Sequence, residues 1–192
     1  IKDFTGSGTS YTATFTPEEN STASGLISVD TSSFIDAAGN ANTSGSLMLA
    51  VDTVVPGITI TSSDSALKAG ETATITFTLS EPSEDFTAED ISVSGGSIDN
   101  FSGSGSSYTA TFTPAEDSTA SGLISVDASS FTDAAGNDNT AGSLTLAVDT
   151  VVPEIAITTS DSALKAGETA AITFTLSEPS EDFGVDDITS SG

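Results

Sequence analysis

The chain has 192 residues, of which 28 are Asp or Glu and three are Lys or Arg, with no His and no Cys, so it carries a formal net charge of −25 at pH 7. Disulfide staples, zinc sites built on thiolate or imidazole, and Ser-His or Cys-His catalysis are therefore excluded. Such charge repels phosphate backbones and anionic lipid, which argues against nucleic acid and against direct membrane contact from this segment.

Residues 1–52 read as the second half of a unit that then recurs. Phe4-Thr5-Gly6-Ser7-Gly8 returns as Phe101-Ser102-Gly103-Ser104-Gly105, and Asp36-Ala37-Ala38-Gly39-Asn40 as Asp133-Ala134-Ala135-Gly136-Asn137. The offset is 97 residues without a gap, and roughly four aligned positions in five are identical. Solenoid repeats run about 20–50 residues because one unit cannot bury a core alone, whereas a unit near 100 residues can. We therefore expect beads on a string: the C-terminal half of a repeat over 1–52, a complete repeat over 53–149, and the N-terminal half of another over 150–192. With no initiator Met and no signal peptide, the chain reads as a segment of something longer.

The linker Asp52-Thr53-Val54-Val55-Pro56, repeated as Asp149 through Pro153, has little backbone freedom and predicts a short, stiff joint. Beyond it, apolar residues alternate with period two. Ala73, Ile75, Phe77 and Leu79 face one way and the intervening threonines the other. Tyr108, Ala110 and Phe112, then Leu144, Leu146 and Val148, repeat the pattern. This patterning opposes the disorder that high charge would otherwise favour. The pattern predicts seven strands, at 57–61, 72–80, 90–94, 97–101, 107–113, 122–128 and 143–149. Seven short strands parted by Gly, Ser, Asn and Pro clusters make an all-β fold of tandem antiparallel β-sandwiches, immunoglobulin-like in type.

In such a strand order, the loop after the second strand (Glu81 to Asp85) and the loop before the seventh (Asp133 to Asn139) share the pole where Asp52 enters. The loop after the first strand and the Glu116-Asp117 turn share the opposite pole, where Asp149 leaves. Each junction thus gathers carboxylates, and Ca²⁺ takes six to eight oxygens from carboxylates, amides and carbonyls. At the first junction the candidate ligands are Asp52, Glu81, Asp133 and Asn137, with Gly136 permitting the turn that joins the last two. At the second they are Asp149 and Glu178, then Asp182 and Asp187. Asp64 and Asp117 of a preceding repeat could complete a shell, and Asp36 with Asn40 repeat the loop pair. The alternative is that these Asp and Asn residues only form turns with their own backbone.

Other signals are weaker. Thr-x-Thr runs suit an ice-binding face, but any solvated strand looks the same. Three Asn-x-Ser/Thr triplets are frequent chance matches. A glycosidase-like carboxylate pair is conceivable, yet acids recurring in every bead are not one active site, so no enzyme is expected. A carbohydrate- or surface-binding module would need aromatic platforms. There is no Trp, and Tyr11 and Tyr108 both fall on core-facing registers.

The set Val-Asp-Thr-Val-Val-Pro, Leu-Lys-Ala-Gly-Glu-Thr (67–72, 164–169), Ile-Thr-Phe-Thr-Leu-Ser-Glu-Pro (75–82) and Asp-Ala-Ala-Gly-Asn resembles the bacterial Ig-like extender repeats of giant RTX-type adhesins. The resemblance covers the whole chain. It implies type I secretion, an extracellular place on the bacterial surface, tandem domains that hold a distal binding tip away from the cell, and Ca²⁺ that stiffens the rod at interdomain junctions. It matches Asp52 and Asp149 to the family's linker aspartate, and Asp133 with Asn137 to its loop motif. The Gly-rich nonapeptides of the secretion region are absent. The partners expected are neighbouring repeats of the same chain. Residues 153–192 of one molecule could also pair with 1–52 of another, head to tail. A halophilic structural repeat without specific Ca²⁺ sites is the remaining alternative.

Overall fold

The computed structural model describes residues 1–191. The N-terminal segment forms two antiparallel hairpins, β1 (Lys2–Ser7) with β2 (Ser10–Thr14) and β3 (Gly25–Val29) with β4 (Gly45–Leu49). The central repeat holds β5 (Ile58–Ser62), β6 (Ala66–Lys68), β7 (Ala73–Ser83), β8 (Ile91–Ser94), β9 (Gly96–Pro114), β10 (Gly122–Val126) and β11 (Gly142–Asp149). The C-terminal segment adds β12 (Ile155–Thr159) paired with β13 (Ile172–Leu176). Single 3-10 turns lie at Ala88–Asp90 and Val185–Asp187.

The central strands form two sheets, β5-β7-β9 and β6-β11-β10-β8. Their facing sides make one core, as expected of an Ig-like sandwich. Alternation in β7 puts Ala73, Ile75, Phe77 and Leu79 inside and leaves Thr74, Thr78 and Ser80 in water. Ile124 and Val126 of β10 and Leu146 of β11 close the core from the other sheet. Phe86, in the loop after β7, contacts Phe77, Phe101, Tyr108 and Phe131 with ring centroids 5.0–5.8 Å apart. Each such aromatic contact contributes about 0.5–1.5 kcal/mol beyond area burial. This cluster anchors the pole where the first linker enters.

Three details differ from the expected strand pattern. β6 pairs in parallel with β11, Leu67 opposite Val148. It has three residues and one buried side chain, too few for an alternation to register. The fourth and fifth expected strands are continuous as β9, which turns back on itself where Gly103 and Gly105 adopt φ of +138° and +65°. Tyr108 is buried, and its hydroxyl donates to the Ser83 carbonyl at 3.0 Å. Tyr11, its counterpart, is 54% exposed and stacks on Phe4. Its register is core-facing, but no second sheet covers it among the described residues.

Candidate metal centre at the repeat junction

The loop 133–137 is built locally. The Asp133 carboxylate accepts the N–H groups of Ala135 (2.8 Å) and Asn137 (2.9 Å) on Oδ1 and the Asn137 side-chain amide (2.8 Å) on Oδ2. Gly136, at φ +88°, makes the reversal possible. Burial pushes the Asp133 carboxyl up, but the hydrogen bonds from Asn137, Ala135 and Gly136 outweigh it and hold the group below the usual carboxylate value. Asn139 braces the same loop from beneath. Its Oδ1 accepts from Ser130 and Phe131, and its amide donates to the carbonyls of Asp127 and Thr140.

Against this loop come Glu81, from β7, and Asp52, from the linker. One carboxylate oxygen of each of Asp52, Glu81 and Asp133 lies within 4.8 Å of the other two. The amide of Asn137 also donates to the Asp52 carbonyl at 3.2 Å, so the loop touches the linker backbone directly. Asp52 is exposed, Glu81 half-buried and Asp133 buried. Glu81 Oε2 is shielded from solvent and has no hydrogen-bond partner. Burial, then the charges of Asp52 and Asp133, raise the Glu81 carboxyl above its ordinary 4.5. Two like charges at this spacing repel by about 1–3 kcal/mol, depending on how much water screens them. Two of the three lysines are engaged elsewhere, Lys68 with Glu71 and Lys165 with Glu168.

The donor set suits a hard cation. Two oxygens each about 2.4 Å from one Ca²⁺ can be no more than about 4.8 Å apart, and the three carboxylates satisfy that limit. All donors are oxygens, and an orphaned buried carboxylate oxygen is what such an ion would satisfy.

The other candidates are dispersed. Asp149 lines a surface groove with Asp64, while Asp117 lines a neighbouring one with Glu71 and Glu116. Asp64 Oδ1 accepts the Ala66 N–H, and Asp117 sits at φ +47°, so both serve turns. Glu178, Asp182 and Asp187 line a groove beside Glu154 and Glu181. Asp182 accepts from Ser180, and Asp187 accepts the Gly184 N–H. Among the described residues, neither Asp149 nor Glu178 belongs to a group of three converging acids. The counterpart of Asp133 for that junction is not within these 192 residues. Asp36 and Asn40 form the same loop as Asp133 and Asn137 but stay exposed, and among the described residues Asp36 joins no group of three converging acids.

Two supports escaped the sequence reading. Asp85 ties the loop after β7 to the 131–139 segment: its carboxylate accepts from Ser83 Oγ (2.6 Å), the Thr132 N–H (3.0 Å) and Thr132 Oγ1 (2.9 Å). Those hydrogen bonds, Ser83 first, hold its carboxyl low. Thr53 and Thr150 fasten each linker to the preceding repeat. Both depend on partners more than 30 residues away, so no local pattern signals them.

Neither a curated protein nor a solved structure matches the chain. A family profile described as bacterial Ig-like domain matches residues 2–51, 52–148 and 149–192. With that profile across nearly its whole length and an Ig-like sandwich at its centre, the chain belongs to the bacterial Ig-like domain family.

Proposed function

We propose that this structural repeat module is an extender segment of a bacterial surface adhesin, whose junctions are stiffened by Ca²⁺ so that a distal binding tip is held away from the cell. The observation that carries the reading is the convergence of Asp52, Glu81 and Asp133 across a linker, with Glu81 Oε2 buried and unpaired. Asp52 ends one repeat, and the other two belong to the next, so a shared cation fixes an angle between repeats. Without it, three carboxylates repel across a joint of few residues.

Weak extracellular Ca²⁺ sites have Kd of about 10⁻⁴–10⁻³ M, so they are empty in cytosol and fill outside. A flexible chain suits export, and a rigid one suits reach. Binding only the aligned state stabilises it by about 1–3 kcal/mol at free Ca²⁺ of about 10–100 times Kd.

Thermal unfolding in EDTA, in EDTA with high NaCl, and in a few millimolar CaCl₂, with matched small-angle scattering, tests this. A Ca²⁺-specific rise in Tm of about 5–15 °C, with a longer and narrower particle, is the expected result. Equal stabilisation by NaCl would mean a diffuse salt-adapted surface and would sink the metal reading.

A further inference from the structure

Thr53 directly follows Asp52 but is bonded to the other repeat. Its hydroxyl donates to the Glu18 carbonyl at 2.6 Å, lies 3.2 Å from the Ser21 carbonyl, and accepts the Ser21 N–H at 3.0 Å. The Thr53 N–H donates to the Ser21 carbonyl at 3.0 Å. Thr150 repeats the arrangement one unit on. Its hydroxyl donates to Ala115 (2.6 Å), lies 3.2 Å from the Ser118 carbonyl, and accepts the Ser118 N–H (2.9 Å), while its own N–H donates to Ser118 (2.9 Å). Thr150 is only 5% exposed. A hydroxyl has one proton and two lone pairs, so this clasp uses both its donor and acceptor capacity.

Three residues after Thr53 the chain is fixed again, now to the following repeat. Pro56 is fully buried, and its carbonyl accepts the Thr140 N–H at 2.9 Å. Gly57 exchanges bonds with Ser80, donating to Oγ at 2.8 Å and accepting its N–H at 2.9 Å. Between these two anchors lie only Val54 and Val55; the Val54 N–H donates to Asp52 Oδ1 at 3.1 Å, and the Asn137 amide of the following repeat reaches across to the Asp52 carbonyl at 3.2 Å. Val55 precedes a proline and is confined to extended backbone, and both residues are β-branched.

We propose that Thr53 is the positioning residue of the junction. It makes Asp52 part of the preceding repeat's rigid body, so that a cation shared with Glu81 and Asp133 is converted into a fixed angle between repeats; Thr150 does the same for Asp149. This rests on reading the junction as a cation site. Without the hydroxyl, the clasp keeps only the bond from the Thr53 N–H to the Ser21 carbonyl, and Asp52 rides on a tether running from Leu49, the end of β4, held by that one backbone bond. A cation then holds the tether without holding the repeat, and binding separates from stiffening.

The chain contains no Cys, so Ser28→Cys and Ser92→Cys place spin labels on exposed positions of the two flanking repeats without background. Distance distributions are recorded in EDTA and in CaCl₂ for the wild-type linker, Thr53→Val and Thr53→Ser, with calorimetric Ca²⁺ titration of each. Complete release of residues 50–53 would lengthen the free segment from two residues to six and widen the distribution by about 1.7-fold on square-root scaling, which is the upper bound for Thr53→Val because the Thr53 N–H still reaches the Ser21 carbonyl. It weakens Ca²⁺ binding by no more than about fivefold, from the lower effective concentration of the tethered Asp52. The expected result is that Ca²⁺ narrows the wild-type and Thr53→Ser distributions, while Thr53→Val binds Ca²⁺ and stays broad. Narrowing of Thr53→Val to the wild-type width, or loss of Ca²⁺ binding far beyond fivefold, overturns the proposal. If the wild type does not bind Ca²⁺, the cation reading fails, and the EDTA samples decide the clasp. Thr53→Val broader than wild type upholds it, and equal widths overturn it. Thr53 lies outside the central core, so the Tm of the central repeat in EDTA should be the same in all three.

Discussion

The loops at Asp36–Asn40 and Asp133–Asn137 have the same five residues and nearly the same geometry. Asp36 accepts from Ala38, the Asn40 N–H and the Asn40 amide at 2.9, 2.8 and 2.8 Å, and Gly39 has φ of +91°. Both carboxyls are held low, Asp36 first by the Asn40 side chain. Their surroundings differ. Asp133 is 8% exposed and meets Asp52 and Glu81, whereas Asp36 is exposed and meets neither. Phe131 is 1% exposed, and its counterpart Phe34 is 63% exposed. The loop is thus a local object, and the candidate site is a tertiary one. Five residues fix the cradle, but only a linker and a neighbouring strand turn it into a cluster of charge.

The largest expected contrast is in the core. Phe131→Ala should cost about 3–5 kcal/mol of central-repeat stability by urea unfolding, because it empties a packed position under Phe86. Phe34→Ala should change stability by about 0.5 kcal/mol or less, as for other exposed positions. Should Phe131→Ala not fold, Phe131→Leu gives a smaller loss of the same sign. Equal effects of the Phe34 and Phe131 changes would mean that the N-terminal segment is covered in solution.

Covering of the N-terminal segment is expected only at high concentration, where copies of the chain can pair; the Phe34 comparison above applies to the dilute monomer. Ile157, Phe174 and Phe183 are the counterparts of Ile60, Phe77 and Phe86, while Phe34 and Tyr11 are those of Phe131 and Tyr108. The two terminal segments therefore carry complementary faces of one repeat. Head-to-tail pairing between copies of this 192-residue chain should raise the mass seen by light scattering as concentration rises in CaCl₂. A monomer throughout would remove this partner.

Next in size is the Ca²⁺ increment. Asp133→Asn should abolish the Ca²⁺-dependent rise in Tm, a loss of about 1–3 kcal/mol, while Asp36→Asn leaves it intact. Loss in both variants would show that the isolated cradle binds the ion by itself, and the role given to Asp52 and Glu81 would be wrong.

The smallest effect, and the most specific, is that of pH without metal. The Glu81 carboxyl is higher in the folded chain than its ordinary value. Its protonated form therefore favours the fold, and that contribution disappears as pH rises through the folded pKa. Asp133, Asp36 and Asp85 are held low, so their contribution is present above the ordinary aspartate value and disappears on further acidification. In EDTA, Tm should rise slightly as pH falls from 7 toward the range just above 4.5, then fall at lower pH. Glu81→Gln should raise Tm at pH 7 in EDTA, flatten the first limb and weaken the Ca²⁺ response. A Glu81→Gln that destabilises in EDTA would show that the anion is already compensated by the protein.

Much of this was legible because the information is short-range. Alternation in 73–79, 108–112 and 144–148 depends only on which face of a strand meets water, and the structure buries the inward-facing residues, Leu144 only in part. The turn Asp-Ala-Ala-Gly-Asn could be read because each partner of its carboxylate lies within four residues. β6 was not legible, since three residues hold no period and the parallel partner is some 80 positions away. The Asp85–Thr132 brace and the Thr53 clasp were equally silent. Ser and Thr hydroxyls are common throughout the chain, and nothing local marks which of them meet a distant carbonyl.

The sequence by itself determined the repeat, the all-β character, the excess of carboxylate over cation and the loop cradles, because each is a matter of composition or of neighbours along the chain. The sequence also placed Asp52, Glu81 and Asp133 at one junction; only the tertiary structure separated this set, which converges, from the other acidic candidates, which do not. Asp52, Glu81 and Asp133 meet because Pro56 is buried in one repeat while Thr53 is fastened to the other. Their distance in space is set by how the linker and both repeats pack, and the spacing of residues along the chain does not encode it.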